Sequence, residues 1–186
     1  QCYLCDLCYL SKCPYVPPHE WNVDFPHLML RSKAVNFKNG NTKLRDRLIT
    51  STDMIGKLAS KPILNDVVNW GVQSKTVRKA LDKTLHIHEA AILPTYQKET
   101  GRTRIKKSSL NREGASNLQE EASQQSVALF TTCYCNYNEP SIIESLTKIL
   151  KHNEIPVELL EREHCCGMPK LELGDLQSVT RLKELN

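Results

Sequence analysis

Residues 127–160 read VALFTTCYCNYNEPSIIESLTKILKHNEIPVELL. The spacing of apolar residues in this stretch changes from that of a strand to that of a helix, and then back to that of a strand. Val127-Ala-Leu-Phe130 is a short apolar run typical of a buried strand, and Pro156-Val-Glu-Leu-Leu160 predicts a second strand. Between them, Asn138-Glu-Pro140 predicts the start of a helix whose apolar residues recur at helical spacing. A strand, a helix and a strand in so short a stretch predict a parallel unit with a right-handed crossover.

Cysteines follow both predicted strands. Cys133 lies just beyond the first strand, and Cys165-Cys166-Gly167 lies beyond the second, with 31 residues between Cys133 and Cys165. Because the carboxyl ends of parallel strands share one edge of a sheet, we expect these thiols to converge where α/β proteins form ligand sites. Neighbouring cysteines can both bridge irons. A pair of buried structural cysteines is the alternative that the spacing leaves open.

A second group of cysteines lies near residue 1, as Cys2-x2-Cys5-x2-Cys8-x4-Cys13-Pro14. Three thiols at such even spacing wrap a tight loop around one point, and its backbone amides turn toward the sulfide of a cubane [4Fe–4S] cluster. In the bacterial ferredoxin run the fourth cysteine, just before a proline, ligates the other cluster of a pair. Here the last gap is four residues instead of three. Zinc, which prefers separated pairs of cysteines, and inert thiols are the alternatives.

The grouping of the cysteines favours a metal-binding protein. The chain has 186 residues, a net charge of +4 and eight cysteines, none of them between residues 14 and 132. Bunched thiols without an export signal favour metal binding in a reducing compartment. No apolar run is long enough to span a membrane. The chain starts at Gln1 and ends inside a predicted amphipathic helix, so we expect it to be an internal piece of a longer protein, with another copy of the first motif upstream.

The spacing of apolar residues divides the chain into three segments. Helices are predicted from Asp24 to the Gly40 break, over residues 43–60, from Pro62, and over residues 74–85. Residues 97–125 have few large aliphatic side chains, which is typical of a linker. The basic residues of 98–112 are interpreted as solvated, with anionic lipid or an acidic partner as the alternative. The predicted domains are therefore residues 1–96, a linker over 97–125, and residues 126–186.

The pattern Cys133-x31-Cys165-Cys166-Gly167 resembles the first half of the cysteine-rich CCG domain, whose second half carries a Cys-x-x-Cys motif. That domain occurs in the B subunit of heterodisulfide reductase, in the glycolate oxidase iron–sulfur subunit and in the C subunit of anaerobic glycerol-3-phosphate dehydrogenase. The last two also carry paired ferredoxin motifs ahead of it. The stretch from Cys165 to Asp175 is especially similar to the glycerol-3-phosphate dehydrogenase C subunit group. The runs Cys2–Cys8 and Cys13–His19 are similar to heterodisulfide-reductase-related iron–sulfur proteins of that group.

The resemblance implies a fold class of α+β or α/β, in which a ferredoxin-type helical region precedes a partial βαβ CCG domain. It implies an iron–sulfur subunit of an oxidoreductase that passes electrons from a flavin-containing dehydrogenase toward a membrane quinone. The implied cofactors are [4Fe–4S] clusters and a non-cubane centre. Cys2, Cys5 and Cys8 would share one cluster with a distant cysteine, Cys13 would serve a neighbouring one, and Cys133, Cys165 and Cys166 would bind the CCG centre.

The same resemblance implies a cytoplasmic protein, peripheral on the inner face of a membrane, with a quinone or a membrane anchor as partner. We expect no nucleic-acid partner, because the excess of basic residues is local. Cys135 falls outside the family pattern and stays unassigned, and His164 is a candidate for tuning the centre. The sequence holds no complete catalytic site and no flavin or nicotinamide motif. A heterodisulfide-reductase-like thiol/disulfide protein and a zinc-stabilised binding module are the rival functions.

Overall fold

The computed structural model describes residues 2–10, 13–110 and 126–186. The fold is α+β, mostly helical with one small parallel sheet, as predicted. In chain order the elements are α1 (Leu7–Leu10), α2 (Phe25–Lys38), α3 (Leu44–Ile49), α4 (Thr52–Ala59), α5 (Pro62–Gln73), α6 (Lys75–Leu85), α7 (Gly101–Leu110), β1 (Val127–Leu129), α8 (Cys133–Tyr137), α9 (Pro140–His152), β2 (Val157–Leu159), α10 (Met168–Leu173) and α11 (Leu176–Leu185).

The described residues form two compact units. One contains the residues up to Ser51 together with Cys166–Leu185, and the other contains Thr52–Cys165 and Asn186. These units do not coincide with the three segments predicted from composition, because the chain returns to the first unit after Cys165. The predicted domain boundaries stay a prediction about the longer chain.

The first unit is built on α2. Asp24 caps that helix, since its carboxylate accepts a hydrogen bond from the His27 amide at 3.1 Å, as the sequence predicts. Helix α10 packs against α2, and Lys33 donates to Glu172 at 2.8 Å. Lys170 donates to the Ser51 hydroxyl at 3.2 Å, which ties α10 to the residues after α3.

The second unit contains the sheet and a small apolar core. β1 and β2 pair in parallel, with Val127 opposite Val157 and Leu129 opposite Leu159, so the predicted strand–helix–strand unit is confirmed. Leu129 packs with Ile105 and Ile143 in the buried core. The core therefore lies where β1, α7 and α9 meet, next to the last residue of β1.

Helix α7 differs from the sequence interpretation. The composition assigns residues 101–110 to the polar linker, yet they form a helix that packs against α8 and α9. Its Ile105 is one of the buried core residues, and Arg102 is bonded inside the unit rather than solvated. Among the α7 residues whose side chains are described, Ile105 is the one large aliphatic residue that is buried, which is too little for apolar periodicity to reveal. The remainder of the predicted linker, residues 111–125, lies outside the described residues.

The region predicted as one helix over 43–60 is divided in two. Helix α3 ends at Ile49 and α4 begins at Thr52. The hydroxyls of Thr50 and Ser51 bond back to the Arg47 carbonyl, at 3.1 and 3.0 Å, and so compete with the helical backbone. Among the described helices, none combines the length and apolar composition needed to cross a bilayer.

Candidate metal centre

Cys133 and Cys165 converge at the carboxyl end of the two-stranded sheet. Cys133 is the first residue of α8, shortly after β1, and Cys165 follows β2. Their Sγ atoms are 3.9 Å apart. Two thiolates bound to one tetrahedral metal at about 2.3 Å lie about 3.8 Å apart, so this separation fits two ligands of one metal ion. The convergence expected from parallel strands is therefore present in the structure.

A buried carboxylate joins the two segments that carry these cysteines. Glu163, two residues before Cys165, has a side chain only 6% exposed. It accepts hydrogen bonds from the Thr131 amide at 2.9 Å and from the Thr131 hydroxyl at 2.7 Å, and Thr131 lies two residues before Cys133. Arg102 pairs with the same carboxylate at 2.9 Å and also donates to the Leu160 carbonyl. Glu163 thus holds the two cysteine segments side by side.

The backbone just before Cys133 is strained. Thr132 has φ 56° and ψ 154°, a conformation that residues other than glycine rarely adopt. Its side chain accepts a hydrogen bond from the Cys135 amide at 3.4 Å and so caps α8. Such strain persists only where the surroundings fix it, and here Thr131 is bonded to Glu163 on the preceding side. The unusual turn directs the chain from β1 into α8.

A third chain segment reaches the two thiols from α4. The hydroxyl of Thr52, the first residue of that helix, lies 3.3 Å from Cys133 Sγ and 3.7 Å from Cys165 Sγ. Asp53 accepts a hydrogen bond from the Tyr137 hydroxyl at 3.2 Å, which fastens the start of α4 to α8. Sequence reasoning missed Thr52 because 81 residues separate it from Cys133 and no local motif marks it.

A cavity of about 300 Å³ opens beside the cysteine pair. Its lining includes Lys57, Arg102 and Arg162 together with Asp53 and Glu161. It is therefore a polar cavity in which charges of both signs face the thiols.

Two tyrosines near the pair have raised pKa values. Burial, and then the negative charge of Asp53, raise the pKa of Tyr137 above its ordinary value. Burial also raises the pKa of Tyr96, with a smaller contribution from Cys133. Both hydroxyls therefore keep their protons well into the alkaline range.

Cys135 has a different environment from Cys133. It is half-buried and packs against the apolar core of Ile105, Leu129 and Ile143. On a helix, residues two apart face different directions, so α8 separates the side chains that an extended chain would place on one side. Cys135 therefore has a packing role, and its place outside the ligand set stays a prediction.

His164 lines the same cavity, and its Nδ1 atom is buried with no hydrogen-bond partner among the described residues. An orphaned ring nitrogen beside two thiols is consistent with the tuning role suggested by its place before Cys165. That role stays a prediction.

Cys166 is exposed, whereas Cys165 is buried. Within residues 2–10, 13–110 and 126–186, no group of three or more His, Cys, Asp or Glu side chains is arranged to hold a metal ion. The structure thus supplies two close soft donors for the predicted centre, and the assignment of Cys166 as a ligand stays a prediction.

The first cysteine motif has an irregular segment over residues 2–6, followed by helix α1. Cys2 and Cys13 are half-buried, and Cys5 and Cys8 are exposed. Leu4 and Asp6, the residues on either side of Cys5, both have positive φ angles, 53° and 59°. The Leu4 amide donates to Cys2 Sγ at 3.4 Å, the kind of amide–sulfur contact that cluster loops use. The described residues do not bring these four thiols together around one point, and their ligand roles stay predictions.

Comparison with known proteins identifies the C-terminal part of the chain. A model of the family described as "CCG: Cysteine-rich domain" matches residues 127–185, the range that holds Cys133, Cys165 and Cys166. Residues 127–185 are thus similar to the CCG cysteine-rich domain. The resemblance inferred from the Cys133-x31-Cys165-Cys166-Gly167 pattern is therefore confirmed.

Curated relatives extend the similarity beyond the CCG domain. The chain is similar to the C subunit of anaerobic glycerol-3-phosphate dehydrogenase from Escherichia coli strain K12 and from Escherichia coli O157:H7. In both cases 28% of residues are identical over 153 residues, which cover 82% of this chain and 36% of the relative. The chain therefore spans little more than a third of the length of these relatives. No solved structure matches it significantly.

Proposed function

We propose that this chain is part of an iron–sulfur electron-transfer subunit of an oxidoreductase complex. The observation that carries the proposal is the convergence of Cys133 and Cys165 within the CCG domain, at an Sγ separation of 3.9 Å. The similarity to the C subunit of a dehydrogenase supports the assignment to a multi-subunit redox enzyme. The strained cysteine loop around Leu4 and Asp6 is consistent with a second, cubane centre.

Cys133, Cys165 and Cys166 would hold a non-cubane iron–sulfur centre, and Cys2, Cys5, Cys8 and Cys13 would ligate [4Fe–4S] clusters. When bound, such groups accept and release single electrons. The protein's own contribution is to hold the thiols at fixed positions. Glu163 and Arg102 do so from behind the cysteine segments, and the polar cavity surrounds the pair with fixed charges.

The likeness to the glycerol-3-phosphate dehydrogenase subunit supports a proposal for the electron donor and acceptor. We propose a flavin-containing dehydrogenase subunit for glycerol 3-phosphate, or for a 2-hydroxy acid, as the electron donor. A membrane quinone, reached through an anchor on the inner face of the cytoplasmic membrane, is the proposed acceptor. In this arrangement the chain relays electrons and has no substrate site of its own.

Metal and acid-labile sulfide analysis of the anaerobically purified full-length protein tests the proposal. We expect iron and sulfide together, with an electron paramagnetic resonance signal that Cys133→Val removes and Cys135→Val leaves unchanged. Cys135 is a matched control, because it lies on the same helix and packs into the core instead. Stoichiometric zinc with no sulfide would establish the zinc-stabilised binding module instead.

A thiol/disulfide redox function is the second candidate, and the cavity of about 300 Å³ beside the two thiols favours it. A centre of this kind would act on a disulfide substrate rather than only relay electrons. Cluster-dependent turnover of a disulfide, abolished by Cys133→Val and absent from the metal-free protein, would establish this function. Reduction of a quinone acceptor with no disulfide turnover would favour electron relay.

A further inference from the structure

The hydroxyl of Thr52 lies beside both sulfur atoms of the CCG pair. It is 3.3 Å from Cys133 Sγ and 3.7 Å from Cys165 Sγ, and the two sulfurs are 3.9 Å apart, so the three atoms form a nearly equilateral triangle. We infer that Thr52 is a positioning residue that donates a hydrogen bond to the metal-bound sulfur of Cys133 and raises the reduction potential of the centre. This inference rests on the proposed iron–sulfur function.

The direction of the hydrogen bond follows from the chemistry of the groups. A threonine hydroxyl carries one donor hydrogen, whereas a metal-bound thiolate has no hydrogen and can only accept. Thr52 is therefore the donor once a metal is held. Because the hydroxyl has one hydrogen, the shorter contact, to Cys133, is its main bond, and Cys165 receives the weaker interaction.

A hydrogen bond to a ligating thiolate withdraws negative charge from the sulfur. The reduced centre carries one more electron than the oxidised centre, so the same hydrogen bond stabilises the reduced state more. Hydrogen bonds to the sulfurs are among the factors that set the potentials of iron–sulfur centres. Removing the Thr52 hydroxyl should therefore lower the reduction potential.

The position of the hydroxyl is fixed by the packing of α4 on α8. Tyr137, at the end of α8, bonds to Asp53 through its hydroxyl at 3.2 Å, and its ring lies against Gly56. Asp53 also pairs with Lys57 at 2.8 Å. Because threonine is β-branched, its χ1 angle has few allowed values. The contact between α4 and α8 therefore holds the hydroxyl of Thr52 toward the cysteines.

Two substitutions separate the hydrogen bond from the packing. Thr52→Val keeps the shape of the side chain and removes the hydroxyl, whereas Thr52→Ser keeps the hydroxyl and removes the methyl group. We expect Thr52→Val to favour the oxidised centre by about three- to tenfold, which is about 28–59 mV lower for a one-electron couple. Thr52→Ser should stay close to the wild type. Potentiometric titration of the full-length protein, followed by electron paramagnetic resonance, measures this, and the iron and sulfide content shows that each centre is intact.

An unchanged reduction potential in an intact Thr52→Val centre would overturn the inference. An equal fall of the potential in Thr52→Val and Thr52→Ser would also overturn it, because packing alone would then be the cause. If Thr52→Val fails to assemble iron and sulfide, Co²⁺ serves as the probe. We then expect the cobalt–thiolate charge-transfer band, identified by its loss in Cys133→Val, to shift to lower energy in Thr52→Val only. An unshifted band overturns the inference. A wild-type full-length protein with no metal at these thiols contradicts the proposed function itself.

Discussion

Glu163 has a position between two cysteine segments that sequence patterns alone do not reveal. Its carboxylate binds Thr131 on one side and Arg102 on the other, and its side chain is almost fully buried. Removing one partner of a buried ion pair leaves the other charge without compensation, which is strongly destabilising. The integrity of the thiol pair therefore depends on a residue that binds no metal.

We expect Glu163→Ala to lower the free energy of unfolding by about 3 kcal/mol, because the Arg102 guanidinium loses its carboxylate. Urea unfolding of the metal-free chain measures this. Glu161→Ala is the matched control, since Glu161 lines the same cavity but is exposed, and it should change the stability little. Equal losses in the two variants would contradict the role assigned to Glu163.

Cys133 and Cys135 provide a second test at single positions. We predict that Cys133→Val abolishes the CCG centre, because it removes one of the two converging thiols, while Cys135→Val keeps it. Valine fits the apolar surroundings of Cys135. Iron content per chain and the visible absorption of the centre are the measurements. Loss of the centre in both variants would mean that Cys135 is also a ligand.

Tyr137 makes the stability of the second unit depend on pH in the alkaline range. Burial, and then the charge of Asp53, raise its pKa, whereas in the unfolded chain it titrates near its ordinary value of about 10. A raised folded pKa gives stability that is fully present below about pH 10 and is lost as the pH rises through the folded pKa.

Urea unfolding at a series of pH values from 8 to about 11 should therefore show stability falling above about pH 10. Tyr137→Phe should reduce this dependence and leave the smaller part that belongs to Tyr96, whose pKa is also raised. The same alkaline slope in Tyr137→Phe and in the wild type would show that other groups cause it.

Among the elements, those with strong local signals were predictable from the sequence. The strands, the capped start of α2 at Asp24 and the parallel pairing of β1 with β2 follow from apolar runs and cap residues. Helix α7 did not follow, because its polar surface hides the single buried Ile105. The contact of Thr52 with the cysteines depends on how α4 packs on α8, and such packing leaves no periodic trace in the sequence.

The packing of α4 on α8 depends on Gly56. A Cβ atom added there would overlap the Tyr137 ring, so the ring or the helix must move. We expect Gly56→Ala to destabilise the chain by about 1–3 kcal/mol, as overpacked cores do. Thermal unfolding measures the change, and the potential of the CCG centre should shift with it as Thr52 moves.

Gly71→Ala is the matched control on the neighbouring helix α5. The nearest atom to its added Cβ, Val77 Cγ1, lies at 3.8 Å, an ordinary contact. Since alanine favours helix over glycine by about 1 kcal/mol, this variant should be as stable as the wild type or more so. A loss in Gly71→Ala equal to that in Gly56→Ala would contradict the close approach of α4 and α8 as the cause.

For the whole molecule, the proposal requires two separate kinds of centre. The cysteine segment around Cys5 lies in one unit, and the pair Cys133 and Cys165 lies in the other. We predict that Cys5→Ser in the full-length protein removes one low-potential cubane signal and interrupts electron flow, because a hydroxyl is a poor ligand for iron–sulfur clusters. Electron paramagnetic resonance and reduction of the quinone acceptor are the measurements.

Cys133→Val is the reciprocal variant. It should remove the signal of the CCG centre and keep the cubane signal that Cys5→Ser removes. Unchanged iron content and unchanged acceptor reduction in Cys5→Ser would reject the ligand assignment in the first motif. Loss of every signal in either variant would indicate a single shared site.

The unusual backbone of Thr132 has a practical consequence for anyone who engineers this protein. Glycine adopts such angles without strain, so Thr132→Gly relieves a local cost of about 1–3 kcal/mol. A library screened only for heat resistance would therefore enrich this substitution. The selected variants would lose the rigid backbone that directs Cys133 toward Cys165. They would gain thermal stability at the expense of redox function. A selection should therefore measure the visible absorption of the metal-bound protein as well as its melting temperature.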